Sequence, residues 1–395
     1  MINATKIRIY PNANQEESLA KAFGCARWYY NNSLAEIQKV YQETGKGLGQ
    51  FALNSRLPGL KKEYEWLGET HSQVLQSVSL NLSRAFINFF ERRAKYPTFK
   101  KKSGKQTIQY PQAVRLEGSA IHLPKIGLVK AVVHREIIGK IKTVTVSKTR
   151  TGKYFASILT DNGLEAPTIS FDGNILGVDM GLTHLVITSD GSKFDNLKHT
   201  LKAQKNLKRK QQKLSRKVKG SNTRNKARLQ VAKVHERITN ARKDNLHKLS
   251  RRLVNENQVI AVEDLHVKGL MRNHCVAKSI GDAGWGAFTA MLKYKAAQAG
   301  KGYIEVNRFF PSSKICSDCL HVMPSMPLNI RSWRCTTCGA SQDRDINAAK
   351  NIRNEAQRMI AAGIAATASR GTVSQVRGRK PSVLARAAEA GSPCL

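Results

Sequence analysis

Acidic residues are scarce in this chain: 28 Asp and Glu stand against 66 Lys and Arg in 395 residues, a net charge of +38. Charges so unbalanced repel one another unless a large polyanion neutralises them, which points to nucleic acid. Long apolar runs are lacking too. No stretch approaches eighteen apolar residues, and Met1-Ile2-Asn3-Ala4-Thr5-Lys6 has no apolar signal core. A membrane is therefore set aside as the polyanion, and the expectation is a soluble, cytoplasmic protein of two or three domains. Cysteine is sparse and odd in number, seven in all, which argues against a disulfide framework. Cys25, Cys275 and Cys394 have no pairing logic, and Cys25, inside the apolar run 23–30, reads as a small buried hydrophobe.

The other four cysteines are ordered. Cys316, Cys319, Cys335 and Cys338 form two Cys-x-x-Cys pairs with fifteen residues between them, the spacing of a zinc ribbon. Four thiolates complete a tetrahedral Zn²⁺ and leave no position for substrate, so this metal is structural. His321 is a spare ligand that reads more simply as a surface residue. Directly after the second pair the chain runs Asp343-Arg344-Asp345-Ile346-Asn347-Ala348-Ala349, placing carboxylates beside the knuckle.

Along the chain, Thr5 to Tyr10 alternates polar and apolar residues as a half-buried strand does, and Pro11 breaks it. Residues 15 to about 95 read as helical, with an apolar stripe through Val74, Val78, Leu82, Ala85, Phe86 and Phe89. Short strands return from Thr107 to Thr160, with a turn at 150–153 between two of them. The first strand is expected to pair with these later ones, closing a small β-sheet or barrel around the helical excursion. Ile175 to Asp179 and Val259 to Glu263 are apolar strands ending in acids, Leu182 to Ser189 is another strand, a helix is expected around 285–299 and a strand at 303–306. Strands alternating with helices indicate α/β layers. Between them, residues 198–252 carry 20 Lys or Arg against Glu236 and Asp244, in two helices broken around Gly220-Ser221-Asn222. An ordinary solvated face mixes its charges; this one calls for phosphate contact, with Lys208, Arg209, Lys210 and Arg216 as candidates. From about Ala361 the Ala-, Gly-, Ser- and Arg-rich sequence reads as a disordered basic tail.

Asp179 and Glu263 end strands and Asp345 opens a helix, so a sheet could bring all three to one edge. Converging carboxylates repel unless cations pair with them, and Mg²⁺ suits their hard oxygens. Two such ions can activate water and stabilise the leaving oxygen in phosphodiester hydrolysis. Asp179, Asp343 or Asp345 could each instead cap a turn or helix. Capping does not account for all three termini. Asp264 competes with Glu263, and Asp343 with Asp345; adjacent strand residues point apart, so only one of Glu263 and Asp264 can face the site.

These residues, in this order, resemble the TnpB proteins of bacterial insertion sequences, relatives of the type V CRISPR nucleases. Gly177-Val178-Asp179-Met180-Gly181 is similar to the family's first RuvC motif and Val262-Glu263-Asp264-Leu265 to its second. Pro311-Ser312-Ser313-Lys314-Ile315-Cys316 is similar to the approach to its zinc ribbon, and Cys335 to Ile352 to its closing motif. The resemblance selects Asp345 over Asp343. Cys25 to Asn31 and Lys95 to Lys100 resemble segments of its recognition and wedge domains, which adds Arg27, Tyr29, Tyr96, Phe99 and Lys100 as nucleic-acid candidates, although an aromatic core is the better reading for most of the rings. Leu320 departs from the pattern, since many members have Gly there.

The resemblance implies an RNase H-like RuvC domain with an inserted zinc ribbon, preceded by a β-barrel-like wedge domain carrying a helical recognition insertion. The boundaries would be 1–14 and 101–170 for the wedge, 15–100 for recognition, 171–311 for the nuclease, 312–340 for the ribbon, 341–360 for the last nuclease segment and 361–395 for the tail. It further implies an element-encoded endonuclease of a bacterial cell. Such an enzyme binds a guide RNA from its own element, works as a monomer in that complex, reads a motif beside its double-stranded DNA target and cuts with one Mg²⁺-dependent site. The rivals are a transposase, whose common triad runs Asp, Asp, Glu, and a regulator without cleavage, which would not need Asp179 or Glu263.

Overall fold

The computed structural model describes residues 1–363 except 328, so most of the expected tail, Cys394 included, lies outside the described residues. Residues Met1–Ala166 and Lys205–Arg237 form one unit; Pro167–Gln204 and the chain from Ile238 onward form another.

In the first unit the alternating N-terminal segment is β1 (Ile2–Tyr10). Its odd members Ile7 and Ile9 are buried, while Lys6 and Arg8 lie on the opposite face beside the Phe155 ring. The later strands are β2 (Gln106–Tyr110), β3 (Arg115–Glu117), β4 (Ala120–Leu123), β5 (Gly127–Val132), β6 (Lys140–Lys148) and β7 (Tyr154–Asp161). As expected, β1 pairs across the helical excursion, antiparallel to β7 from Ile2↔Asp161 to Ile9↔Tyr154 and to β5 on its other side. The order β2-β6-β7-β1-β5-β4-β3 places β2 and β3 at the edges, unpaired among the described strands, so of the expected small sheet or barrel the chain forms an open, curled seven-stranded sheet.

The excursion holds α1 (Ala13–Thr44), α2 (Gln50–Ser55), α3 (Leu57–Glu63) and α4 (Ser72–Phe90). A capping box starts α1: Asn12 Oδ1 accepts from Gln15 N at 2.9 Å and Gln15 Oε1 from Asn12 N at 3.0 Å. Val74, Val78 and Leu82 of α4 join Leu19 and Phe23 of α1 against Ile108, Val144 and Ile158 of the sheet. Each such side chain withdrawn from water contributes roughly 1.5–3 kcal/mol before entropy is counted. The basic segment forms α5 (His199–Ser215) and α6 (Asn222–Glu256), with Gly220 in the left-handed region at φ 89° between them. Within this unit Glu236 of α6 accepts from Thr151 Oγ1 at 2.9 Å and pairs with Lys153 at 3.0 Å, both on the turn joining β6 to β7.

The second unit is built on β8 (Ile175–Asp179), β9 (His184–Thr188), β10 (Lys193–Asp195), β11 (Val259–Glu263) and β12 (Gly302–Val306), in the order β10-β9-β8-β11-β12. β8, β11 and β12 run parallel, β9 returns antiparallel to β8, and β10 is antiparallel to β9. Three helices follow β11 and precede β12: α7 (Val267–Leu270), α8 (His274–Ala283) and α9 (Trp285–Gln298). The small ladder of β13 (Ser332–Arg334) and β14 (Ser341–Asp343) then leads into α10 (Arg344–Ala361). Strand alternation separates two cores. Leu176, Val178, Ile260 and Val262 pack with Leu246, Leu249 and Leu253 of α6 and Phe288 and Leu292 of α9. Val259, Ala261, Ile304 and Val306 pack with Ile352 and Ala356 of α10. The sheet is thus a middle layer with helices on both faces.

Candidate active site

The phase of these strands decides which acids meet. In β11 Val259 and Ala261 face α10, so Glu263 shares their face and Asp264 does not. In β8 Leu176 and Val178 face the other way, which leaves Gly177 and Asp179 toward α10. The parallel register pairs Val262 with Val178, so Glu263 and Asp179 are the next residues at the carboxyl ends of adjacent strands. That end of a parallel sheet is where α/β proteins carry their sites.

Asp345 arrives from the third element. Asp343 is the N-cap of α10, its Oδ1 accepting from Asp345 N at 3.0 Å and Ile346 N at 3.1 Å, with Lys193 on Oδ2 at 2.6 Å. Asp343 is thereby committed to the helix end, and Asp345, in the first turn, pairs with Arg331 at 3.2 Å. Burial first, and then the charges of Glu263 and Asp345, push the Asp179 carboxyl up to about 7. Burial also raises Glu263, partly offset by the hydrogen bond it accepts from Ser312 Oγ. Asp179 therefore senses the charges of both other acids, as a carboxylate with like charges nearby must. Their oxygens stay apart: among the described residues, the metal-competent set gathered within 4.8 Å is that of the four cysteines. Asp264 is bound elsewhere, to Arg308.

In the cysteine set Cys316 Sγ lies 3.8 Å from Cys338 Sγ, and Cys319 Sγ lies 3.5 Å from Cys335 Sγ. Tetrahedral zinc at about 2.3 Å from each sulfur requires separations near 3.8 Å, so the group fits that ion. Both knuckles turn the same way: Leu320 N donates to Cys316 O at 2.9 Å and Gly339 N to Cys335 O at 3.0 Å. Buried Gln342 donates from Nε2 to Cys316 Sγ at 3.6 Å, supporting the thiolate from outside. His321 is outside the set, 3.5 Å from Thr336 Oγ1.

A protein of Streptomyces pristinaespiralis is 39% identical over 92% of this chain and 90% of its own length, and one of Escherichia coli K12 is 31% identical over 92% and 94%. Both are named "Putative RNA-guided DNA endonuclease", the second with the suffix InsQ. A mimivirus "TnpB-like protein" is 25% identical over 89% of the chain. The chain belongs to the TnpB family. Family models place "Probable transposase" on residues 165–274, "Cas12f1-like, TNB domain" on 285–352 and "Helix-turn-helix domain" on 1–46 of this TnpB protein. The last stretch folds here as one strand, β1, and one continuous helix, α1. The Cas12f1 chain of a cryo-EM complex with sgRNA and target DNA shares the fold, with a TM-score of 0.56 over 90% of this chain and 99% of that one at 14% identity.

The nucleic-acid candidates fare unequally. Tyr29 is 1% exposed, its hydroxyl bonded to Leu53 O and Ser79 Oγ, so this ring belongs to the core and offers no stacking face. Arg27 is half-buried and donates to Gln106 Oε1 at 3.4 Å. Tyr96 stands edge-on to Phe86 and Phe89 but remains open on one side, Phe99 is exposed, and Lys100 lies over the Tyr30 ring at 3.7 Å. Lys208 and Arg209 are exposed on α5 and Arg216 just past its end, and Lys210 lines a groove with Lys213, Lys217 and Lys226. Cys25 is buried as expected. No helix among the described residues is long and apolar enough to cross a membrane. Sequence reasoning missed Ser312, Arg331, Gln342, Asn347 and Asn351. The two asparagines carried a faint signal, four residues apart on one helical face.

Proposed function

We propose that this TnpB protein is an RNA-guided DNA endonuclease of a transposable element, its second unit an RNase H-like, RuvC-type nuclease domain with a zinc ribbon between the second and third acids. The observation that carries the reading is the convergence of Asp179, Glu263 and Asp345, from two parallel strand ends and one helix start, on a single edge of the sheet. The family's names for related proteins agree with it. Mg²⁺, as two ions held by these carboxylates, would supply the charge that activates water and stabilises the leaving oxygen. Asp179, whose carboxyl burial and the charges of Glu263 and Asp345 push up to about 7, would gain most from a cation paired with it there.

The partners in this reading are a guide RNA from the same element and a double-stranded DNA target with an adjacent motif, bound by one copy of the chain. Pairing supplies sequence choice, and the +38 charge supplies phosphate contact. The test is to purify the protein, sequence its co-purifying RNA and assay a matching target. Wild type should cleave it and Asp179→Ala should not; absence of bound RNA, or cleavage that survives the substitution, rejects the proposal.

A further inference from the structure

Glu263 is the acid whose side chain has a neutral escort. Ser312, 6% exposed, lies in the segment between β12 and the ribbon, and its Oγ donates to Glu263 Oε1. Ser312 is itself pinned from α10: Asn351 Nδ2 donates to Ser312 O at 2.7 Å and to Ile315 O at 2.6 Å. One turn earlier, Asn347 Nδ2 donates to Ile315 O at 2.7 Å while its Oδ1 accepts from Ser317 N at 2.9 Å. Asn347 and Asn351 are both fully or nearly fully buried, so these bonds are not exchanged for water. The helix that carries Asp345 therefore also grips the segment that carries Ser312.

We infer that Ser312 is a positioning residue for Glu263, holding one carboxylate oxygen in place so that the side chain presents its charge to a divalent cation alongside Asp345. A hydroxyl suits this task because it fixes an oxygen without neutralising it, as an Arg or Lys would. Fixing the rotamer before binding removes an entropic cost that the cation would otherwise meet. Asn351 sets the height of Ser312 along α10, which couples the placement of the second acid to that of the third.

The inference rests on the proposed carboxylate site, and the experiment separates the two. Mn²⁺ is titrated into the full, zinc-loaded chain freed of nucleic acid, and binding is read by electron paramagnetic resonance. Ser312→Ala should weaken Mn²⁺ binding about tenfold, the scale on which partners of metal ligands act, with the melting temperature in magnesium-free buffer and the zinc content unchanged. Ser312→Thr should restore binding, and Ser313→Ala should not alter it. In the RNA-loaded complex the Mg²⁺ concentration for half-maximal cleavage should rise by the same factor. Wild-type Mn²⁺ affinity in Ser312→Ala, with or without a lowered melting temperature, assigns the serine to packing alone and overturns the inference. If that variant does not fold, Ser312→Cys, close in volume but a weak donor, carries the same test. Asp179→Ala is the reference: if it too binds Mn²⁺ normally, the carboxylate site itself is wrong.

Discussion

Leu320 holds a left-handed backbone at φ 62°, in the place that Gly339 occupies at φ 73° after the second thiolate pair. The knuckle needs that conformation so that the residue after each Cys-x-x-Cys can return its N–H to the first cysteine's carbonyl. For glycine it is free; for leucine it costs about 1–2 kcal/mol. The side chain, 66% exposed, recovers little of this by burial. Leu320→Gly should therefore stabilise the zinc-loaded protein by roughly 0.5–1 kcal/mol after the added freedom of the unfolded chain is subtracted. The check is a higher melting temperature and slower zinc loss to a chelator; an unchanged or lower value would mean that the leucine makes contacts that offset its strain. The sequence marked this position only as a departure from a pattern. Its φ, like the commitment of Asp343 to capping α10, depends on where hydrogen bonds fall, which residue type alone does not state.

Among the elements, the junction of β8 and α10 sets how the three acids of the proposed site are placed. A Cβ built on Gly177 would run into the Ala349 carbonyl oxygen and come within 2.7 Å of Arg353 N, both backbone atoms of the helix. No side chain can swing aside to make room, so Gly177→Ala must lift α10 from the sheet. The expected cost is about 1–3 kcal/mol, and the larger effect should be on function, because Asp345 moves with its helix. Cleavage should fall far more than thermal stability; a variant with full activity would show that the close approach is dispensable. Much at this scale was legible beforehand. β1, the β6–β7 hairpin, β8, β11 and the two basic helices all followed from period, turn residues and caps, since burial on one face writes itself into every second or every third to fourth residue. The open first sheet did not, because closure depends on twist and edge pairing rather than on any strand's pattern. Nor did the clasp of Asn347 and Asn351 on the ribbon approach, because side-chain bonds to a distant backbone leave no period to read.

For the whole molecule the dominant quantity is charge. With 66 basic residues and few acids to mask them, affinity for RNA should be governed by counterion release. If about 6–10 phosphates are contacted, binding should weaken by about 10³–10⁵ between 50 and 200 mM salt. Lys210→Ala, in the groove lined by four lysines, should lower the slope of log affinity against log salt by about one, uniformly across RNA sequences. Fluorescence polarisation over a salt series measures both, and a flat dependence would show that the charge serves something other than phosphate. The arrangement of the acids also sets a schedule. Asp179 and Glu263 leave the ribosome well before Asp345, and the helix that bears Asp345 is the final element to be made among those described, α10 at Arg344–Ala361. In the proposed reading a nascent chain exposes the basic helices α5 and α6 before the third acid is made, so the tool that grips is complete before the one that cuts.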